Sequence, residues 1–265
     1  MKVRTAAFTG VSDSTRQVVD QGFSIVDGLL SENEISESIE MLDRLIGVDQ
    51  VEWGPNPHYR DHWMVMNLMF RAEIFQRVLD SHFIPILIDP LLGESSILYS
   101  FTSSSMPPSA SNFSRRVHTD SPRVIPGYST NVGLLIALDE FTPENGATEL
   151  LPNSHVLFEA PSEEVFETGM IQALLKPGQG LLFNARLWHR GGFNSSSRPR
   201  HALTLNFCRS YMRSHFDFSA MASDDYVQSV SPQIKRFLGW NVRMPKSLEE
   251  YYVPDTQRRY RANQG

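Results

Sequence analysis

Short apolar segments separated by turn signals dominate the middle of the chain. Strand patterns occur at 97–102, 131–138, 147–151, 180–184 and 201–208. Residues 143–146 (Pro-Glu-Asn-Gly) are a strong turn signal between two of these segments. Helical periodicity is confined mainly to the two ends of the chain. Many short strands between helical ends are typical of a jelly-roll or sandwich core, so the sequence predicts a mainly β fold with flanking helices.

The helical ends carry their own signals. Residues 31–34 (Ser-Glu-Asn-Glu) have the form of a capping box, and apolar residues follow at helical spacing up to Ile46. A second helix is predicted at 71–81, and the apolar run 83–92, which contains two prolines, is predicted to be partly helical. We expect one domain, with N-terminal helical support at about 1–95, a β core at about 96–210 and a C-terminal helical segment at about 211–265.

Composition narrows the function classes. The net charge of -6 argues against a nucleic-acid partner, which would require a basic face. No stretch approaches the roughly 20 apolar residues of a membrane span, and the N-terminus lacks a signal-peptide pattern. The single cysteine, Cys208, excludes an internal disulfide framework. We therefore expect a soluble, cytoplasmic monomer or homodimer that binds a small-molecule substrate and neither nucleic acid nor membrane.

A histidine and an aspartate two residues apart suggest a metal site. If His118 and Asp120 lie on an extended strand, their side chains point to the same side, where they can share one ion. A third ligand would complete the two-histidine, one-carboxylate triad that holds non-haem Fe(II) and leaves positions open for co-substrate, oxygen and water. His189 is the best candidate for that ligand. A lone His-x-Asp pair is weak evidence, because chance pairs are frequent.

The parity of the last predicted strand is informative. One face carries small and polar residues: Arg200, Ala202, Thr204, Asn206 and Cys208. The other carries Leu203, Leu205 and Phe207. The first face is suited to line a ligand-filled interior, and Arg200 offers a planar fork of donors for a carboxylate. Arg198 lies nearby as a competitor for that role, but Arg200 has the inward parity.

Together these motifs resemble the phytanoyl-CoA dioxygenase (PhyH) family of Fe(II)- and 2-oxoglutarate-dependent oxygenases. The likeness rests on His118-x-Asp120, on His189 and on Arg200 eleven residues later. Residues 143–148 and 151–155 are similar to the family's "ENG…PGSH" passage, and 231–240 resembles a recurrent C-terminal segment. The resemblance extends over most of residues 22–245.

The resemblance implies a double-stranded β-helix, or cupin-like jelly-roll, with Fe(II) at its open end. His118, Asp120 and His189 would be the catalytic metal ligands, Arg200 would bind the distal carboxylate of 2-oxoglutarate, and Thr148 could add a hydrogen bond to it. The implied reaction uses O2, releases succinate and CO2, and hydroxylates, desaturates or otherwise oxidises a C–H bond. Related halogenases lack the carboxylate, so Asp120 disfavours halogenation.

One position departs from the family's pattern. Arg116 stands where relatives often have a neutral polar residue two positions before the first ligand. On the expected strand it would share the face of His118 and Asp120. We therefore predict that Arg116 either helps to hold 2-oxoglutarate or meets an anionic group on the substrate.

Loops at 52–66, 103–115, 121–130 and 209–226 are expected to surround the substrate. They supply Trp63, Phe113, Arg115, Arg123, Tyr128, Tyr211 and Arg213. Aromatic rings with several arginines suggest a small or medium-sized organic metabolite, as in secondary metabolism, that is partly apolar and bears an anionic group. Two alternatives stay open. One is a catalytically silent jelly-roll that binds a ligand or partner, and the other is a cupin-like isomerase or hydrolase that uses another divalent metal.

Overall fold

The computed structural model describes residues 11–254 and residue 257. Within them, the strands are β1 (Phe23–Val26), β2 (Ile97–Ser103), β3 (Asn131–Ala137), β4 (Thr148–Leu150), β5 (Ile171–Ala173), β6 (Gly180–Asn184), β7 (His189–Arg190) and β8 (Ala202–Cys208). The helices are α1 (Val11–Gln21), α2 (Glu32–Trp53), α3 (Glu73–Leu79), α4 (Phe83–Leu92), α5 (Glu163–Gly169), α6 (Phe218–Met221), α7 (Asp224–Ser229), α8 (Pro232–Phe237) and α9 (Leu248–Tyr251). Short 3-10 turns cover Leu68–Phe70, Phe113–Arg115, Ser154–Val156 and Trp240–Val242.

The described strands form two antiparallel sheets. The larger has the order β1-β6-β3-β8-β2, and the smaller has the order β5-β4-β7. The central strand β3 is buried at every position, as its nearly continuous apolar sequence predicts. In its register with β8, Gly133 pairs with Asn206 and Leu135 pairs with Thr204. Two antiparallel sheets with helices are consistent with the predicted mainly β fold with flanking helices.

The two faces of the larger sheet pack against different partners. Leu203, Leu205 and Phe207 of β8 belong to a large apolar core shared with residues of helices α2, α3, α4 and α8. Ala202 on the opposite face belongs to a smaller apolar cluster that also contains Leu150 of the other sheet. Side chains alternate across a strand, so β8 contributes to the helical core with one face and to the space between the sheets with the other.

The predicted helices occur close to their expected places. Ser31 is the N-cap of α2, its Oγ accepts from the Glu34 amide, and the Glu34 carboxylate accepts from the Ser31 amide at 2.8 Å. The helix predicted at 71–81 is α3, which is shorter at both ends. The run at 83–92 is helical throughout although Pro90 lies inside it. No helix within the described ranges is long and apolar enough to cross a membrane.

The expectation of a regular strand beneath His118 and Asp120 is wrong. His118 forms a single antiparallel bridge with His189, through two N–H to O contacts of 3.0 Å, and Asp120 lies in a bend. Prolines and small residues surround this segment. On either side of the bridge its backbone makes isolated contacts, in which the Gly191 amide donates to the Ser114 carbonyl at 2.8 Å and the Ser121 amide donates to the Ala185 carbonyl at 3.0 Å, rather than a regular ladder. In addition, α2 runs to Trp53, so the predicted loop at 52–66 begins later than expected.

Candidate metal centre

Three potential ligands converge although they are distant in sequence. Ligand atoms of His118, Asp120 and His189 all lie within 4.8 Å of one another. Oδ1 of Asp120 lies 3.6 Å from Nε2 of His118 and 3.9 Å from Nε2 of His189. The two imidazole centroids are 4.4 Å apart. Two nitrogens and one carboxylate oxygen at these separations suit a single divalent ion with open coordination positions.

Backbone carbonyls orient both imidazoles. Nδ1 of His118 lies 2.7 Å from the Arg116 carbonyl, and Nδ1 of His189 lies 2.9 Å from the Leu187 carbonyl. Because a carbonyl only accepts, each Nδ1 must donate, so the proton is on Nδ1 in both rings. The lone pair is then left on Nε2, the atom that faces Asp120. A second hydrogen bond of this kind is how proteins fix the tautomer of a metal-binding histidine.

The three groups of the cluster shift one another's pKa values. Burial opposes the charged form of Asp120, but the nearby His118 and His189 outweigh it and lower the pKa of the carboxyl. Burial lowers the pKa of His189, which keeps that ring neutral. Burial also acts to lower the pKa of His118, but the close Asp120 and the Arg116 carbonyl outweigh it and raise that pKa. The ionised Asp120 carboxylate thus lies between the two imidazoles, where it would also attract a bound cation.

Side chains outside the triad fix the loop that carries Asp120. Nδ2 of Asn206 donates to Oδ2 of Asp120 at 3.2 Å. The buried Arg186 donates to Oγ1 of Thr119 at 3.2 Å and to the carbonyl of Ser121 at 3.1 Å, on either side of the ligand. Neither contact follows from the local sequence pattern. They replace the regular strand pairing that this segment lacks.

Packing fixes the third ligand. His189 begins β7 and pairs with Leu150 of β4. The Phe183 ring contacts the His189 ring in an edge-on arrangement, with centroids 5.3 Å apart. Phe183 in turn lies directly over Gly133 of β3, where any added Cβ would collide with the aromatic ring. The absence of a side chain at Gly133 is thus what allows Phe183 to pack against the imidazole of His189.

Arg200 is almost fully buried, with 1% of its surface exposed. It donates to the carbonyls of Ser104 at 3.3 Å and Gly146 at 3.0 Å, and its guanidinium lies 4.0 Å from the Phe141 ring centroid. Its Nε has no hydrogen-bond partner in the described part of the chain. Burial lowers the pKa of Arg200 to about 9. Asp139 acts on Arg200 electrostatically, but no carboxylate of the described residues forms an ion pair with it, so this buried guanidinium fits a site for an anionic ligand.

A cavity of about 280 Å³ connects these groups. The three triad residues, Arg200 and Thr148 all line it. So do Thr204 and Asn206, whose Oγ1 and Oδ1 atoms are buried without a hydrogen-bond partner within the described chain. The inward face of β8 therefore has the polar, ligand-lined character that its parity predicts. Unpartnered buried atoms of this kind require a ligand or ordered water.

The other predicted contacts are distributed differently. Phe113 lines the cavity, but Trp63 packs against the helical core, and Tyr128 is hydrogen-bonded to Tyr211 at 3.0 Å. The other arginines that were predicted to contact ligands do not line the cavity. They are Arg115, Arg116, Arg123 and Arg213. Their side chains, like those of Tyr128 and Tyr211, are exposed. Substrate contacts by these residues stay predictions.

Arg115 has a specific competing role. Its Nη1 lies 3.4 Å from a carboxylate oxygen of Glu149 and 3.4 Å from the Gly191 carbonyl. Glu149 also pairs with Arg190, which extends the network to Glu167 at 2.6 Å. Glu149 lies 34 residues from Arg115, so proximity in the chain does not indicate this pairing.

Sequence reasoning missed several cavity residues. Met64, Met66, Tyr99, Met106 and His215 all line the cavity, together with hydroxyl-bearing residues of β2. Methionines carry no chemical signature in a sequence, and the segment containing Met64 reaches the site only because it runs beside β2. The alternation of Ser100 and Thr102 on a predicted strand is the one signal that could have indicated part of this wall.

Comparison with known families agrees with this geometry. The family model of phytanoyl-CoA dioxygenase (PhyH) matches residues 19–202. The chain belongs to the PhyH family. It is therefore placed among the non-haem iron- and 2-oxoglutarate-dependent oxygenases in general terms, and the triad of this PhyH protein fits that class.

Individual relatives cover different parts of this PhyH protein. An uncharacterized protein of Mycobacterium tuberculosis is 29% identical over 251 residues, which are 92% of this chain and 92% of that protein. Dioxygenase andF of Emericella variicolor is 32% identical over 112 residues, which are 41% of this chain and 38% of that protein. The fungal similarity is thus partial, whereas the mycobacterial one extends over nearly the whole length.

Solved structures share the fold. EctD from S. alaskensis with bound Fe superposes with a TM-score of 0.64 at 18% identity, covering 77% of this chain and 78% of that chain. The non-heme alpha ketoglutarate dependent epimerase SnoN from nogalamycin biosynthesis superposes with a TM-score of 0.62 at 20% identity, covering 79% of this chain and 88% of that chain. At these identities the likeness concerns architecture alone.

Proposed function

We propose that this PhyH protein is an Fe(II)- and 2-oxoglutarate-dependent dioxygenase that oxidises a small or medium-sized organic metabolite. One observation carries the proposal: the cluster of His118, Asp120 and His189 and the buried Arg200 line the same cavity. The outcome is hydroxylation, desaturation or a related C–H oxidation. The two antiparallel sheets, with the site between them, support a double-stranded β-helix.

The residues divide the work. His118, Asp120 and His189 would hold the iron, and the Nδ1 bonds to backbone carbonyls would aim both imidazoles at it. Bound iron supplies the dioxygen chemistry that amino-acid side chains lack. Asn206 and Arg186 would keep the carboxylate in place while ligands exchange.

Arg200 would bind the distal carboxylate of 2-oxoglutarate. A planar guanidinium presents paired donors to a carboxylate, and burial strengthens the attraction by excluding water. Thr148, at the start of β4, lines the cavity and would add a hydrogen bond. The carbonyls of Ser104 and Gly146 hold the guanidinium in position before the ligand arrives, which reduces the cost of ordering on binding.

The overall reaction balances without another reductant. 2-Oxoglutarate, O2 and a substrate C–H bond give succinate, CO2 and an alcohol. One oxygen atom enters succinate and the other enters the product. In a desaturation, the second oxygen atom leaves as water with the two substrate hydrogens. The two electrons that the substrate cannot supply come from decarboxylation of the keto acid.

The test is an anaerobic calorimetric titration of 2-oxoglutarate into Fe(II)-loaded protein. Arg200→Met is compared with Arg198→Met, which alters an exposed arginine two residues away. Truncating one partner of a buried charge pair costs about 2–5 kcal/mol, so we expect affinity to fall by roughly 30-fold or more in Arg200→Met. Arg198→Met should bind like the wild type. Equal affinity in all three proteins would contradict the assignment of Arg200.

A second measurement addresses turnover. With O2 admitted, the wild type should release succinate slowly even without its substrate, and Asp120→Ala should not. Binding of 2-oxoglutarate without iron-dependent succinate release would favour the silent ligand-binding alternative. Full catalytic activity after strict removal of iron and loading with zinc would favour the isomerase or hydrolase alternative.

A further inference from the structure

The cavity has few charged groups beyond those that the proposed function already uses. Among its described lining residues, the only arginine or lysine is Arg200, and the only carboxylate is Asp120. The histidines are His118, His189 and His215. If Arg200 is occupied by 2-oxoglutarate and the triad by iron, His215 is the one remaining basic side chain among the described lining residues.

The rest of the wall is rich in thioethers. Met64 and Met66 belong to a segment that runs beside β2, where the Val65 amide donates to Oγ of Ser103 at 2.9 Å and the Ser103 amide donates to the Val65 carbonyl at 3.0 Å. This pairing turns Val65 into the helical core and both methionines into the cavity. Methionine is unbranched and polarizable, so it adapts to apolar surfaces of irregular shape.

Met106 continues this wall next to the triad. It pairs with Arg200 in a single β-bridge and is 1% exposed. Its terminal methyl fills the space beside Gly191, which follows β7. Met64, Met66 and Met106 are hereafter called the thioether wall. The thioether wall offers van der Waals contact and no counter-charge.

Aromatic rings also line this cavity. The His215 ring stacks on Tyr99 with an interplanar angle of 14° and centroids 5.9 Å apart, and the His215 amide donates to the Tyr99 carbonyl at 2.9 Å. Phe113 lines the cavity and is 57% exposed. Ser100 and Thr102 add hydroxyls that can donate to or accept from neutral polar groups.

We propose that the substrate of this site is a neutral, largely apolar molecule, selected by the thioether wall rather than by the arginines of the surrounding loops. The inference rests on the proposed function. A carboxylate placed against the thioether wall would lose its hydration without gaining a partner, which is costly. Arg115 is engaged by Glu149 and Gly191, and Arg123 and Arg213 are exposed outside the cavity.

The experiment uses three probes that differ in charge but share an apolar cage: 1-adamantanemethanol, 1-adamantanecarboxylate and 1-adamantanemethylammonium. Each is titrated calorimetrically into protein loaded with Zn(II) and N-oxalylglycine, an unreactive analogue of 2-oxoglutarate. We expect the alcohol to bind about tenfold more tightly than either ion, or better, because only the ions lose hydration uncompensated. Tighter binding of the carboxylate, or no binding of the alcohol, would overturn the proposal.

Substitutions inside and outside the cavity show which residues cause the preference for the neutral probe. Met66→Lys should reverse the preference toward the carboxylate, whereas Met244→Lys, at a methionine that is 77% exposed, should leave it unchanged. If Met66→Lys does not fold, Met64→Gln should still lower the affinity for the alcohol several-fold, with little change in the affinity for the two ions. His215→Gln should leave the alcohol's advantage intact. Identical preferences in the wild type and every folded thioether-wall variant would place the probes elsewhere and refute the inference.

The same titrations separate the two proposals. Binding of N-oxalylglycine that depends on Arg200, together with a preference for the carboxylate probe, would refute the neutral substrate alone. Failure of N-oxalylglycine to bind would refute the proposed function, and the neutral-substrate inference would fall with it.

Discussion

The two faces of β8 have different surroundings, although their residues alternate along the same seven-residue strand. On the outer face, Leu203, Leu205 and Phe207 are fully buried in the helical core. On the inner face, Thr204 and Asn206 present buried oxygen atoms that have no partner among the described residues. The apolar side chains of the outer face are fully packed, whereas the polar atoms of the inner face require a ligand or ordered water.

Stability and ligand binding therefore depend on opposite faces of the same strand. Apolar contacts on the outer face contribute to the free energy of unfolding whether or not a ligand is present. Polar groups on the inner face are desolvated by folding and recover that cost only when they gain partners. Substitutions on the two faces should therefore change different measured quantities.

The largest effect is expected inside the cavity, at the carboxylate ligand. Asp120→Ala should weaken Co(II) binding by more than the ~10–100-fold that follows loss of a group that only orients a ligand. The visible absorption of bound Co(II) measures this directly. Glu167→Ala is the control, because its exposed carboxylate pairs with Arg190 outside the cavity. Equal Co(II) affinity of Asp120→Ala and the wild type would remove Asp120 from the site.

On the outer face, Phe207→Ala should lower the free energy of unfolding by about 3–5 kcal/mol, because a fully buried ring is replaced by a cavity. Urea denaturation of metal-free protein measures the loss. Co(II) affinity of the folded fraction should stay at the wild-type value. The matched inner-face change, Thr204→Val, should alter stability by much less. Equal losses of stability in the two variants would break the comparison.

Asn206→Leu should produce the inner-face signature. It removes the amide that donates to Asp120, so Co(II) affinity should fall by about 10–100-fold. Its unfolding midpoint in urea should stay near that of the wild type, since a buried unpartnered oxygen is removed at the same time. Thr204→Val, two residues away on the same face, should leave Co(II) affinity unchanged. A collapse of stability in Asn206→Leu would assign this residue to the scaffold.

The smallest effect concerns the end of β8. Cys208 shares the inner parity but is fully buried, and burial raises the pKa of its thiol to about 12. We expect a disulfide reagent at pH 8 to leave the native protein unmodified and to modify one thiol per chain in denaturant, since thiolate is the reactive form. Rapid modification of the native protein would show that the open part of the inner face extends to Cys208.

Local patterns in the sequence predict much of this architecture. The capping box at Ser31, the fully buried β3 and the parity of β8 each depend on residues a few positions apart, and all three are observed. The convergence of His118, Asp120 and His189 was also predicted, although the regular strand assumed for the first two is absent. Their geometry depends on one bridge and on side chains such as Arg186, which local periodicity does not reveal.

The substrate side was harder to predict, because it depends on pairings between distant segments. Arginines and aromatic rings in loops suggested anion recognition, but Arg115 is engaged by Glu149. Met64 and Met66 reach the cavity through contacts of the intervening Val65 with β2. No pattern within either segment indicates that it will lie beside the other. Residue type alone indicates the candidate metal centre, whereas thioethers carry no such chemical signature.

The close approach of Gly133 and Phe183 restricts the order in which this site can diverge. A side chain acquired at position 133 while the aromatic ring is still present would collide with that ring, which packs edge-on against His189. Replacing Phe183 with a smaller residue first would create the space that a side chain at position 133 needs. Evolutionary or engineered changes at these two positions therefore have a favoured order, and the reverse order passes through an intermediate in which the ring that packs against His189 is displaced.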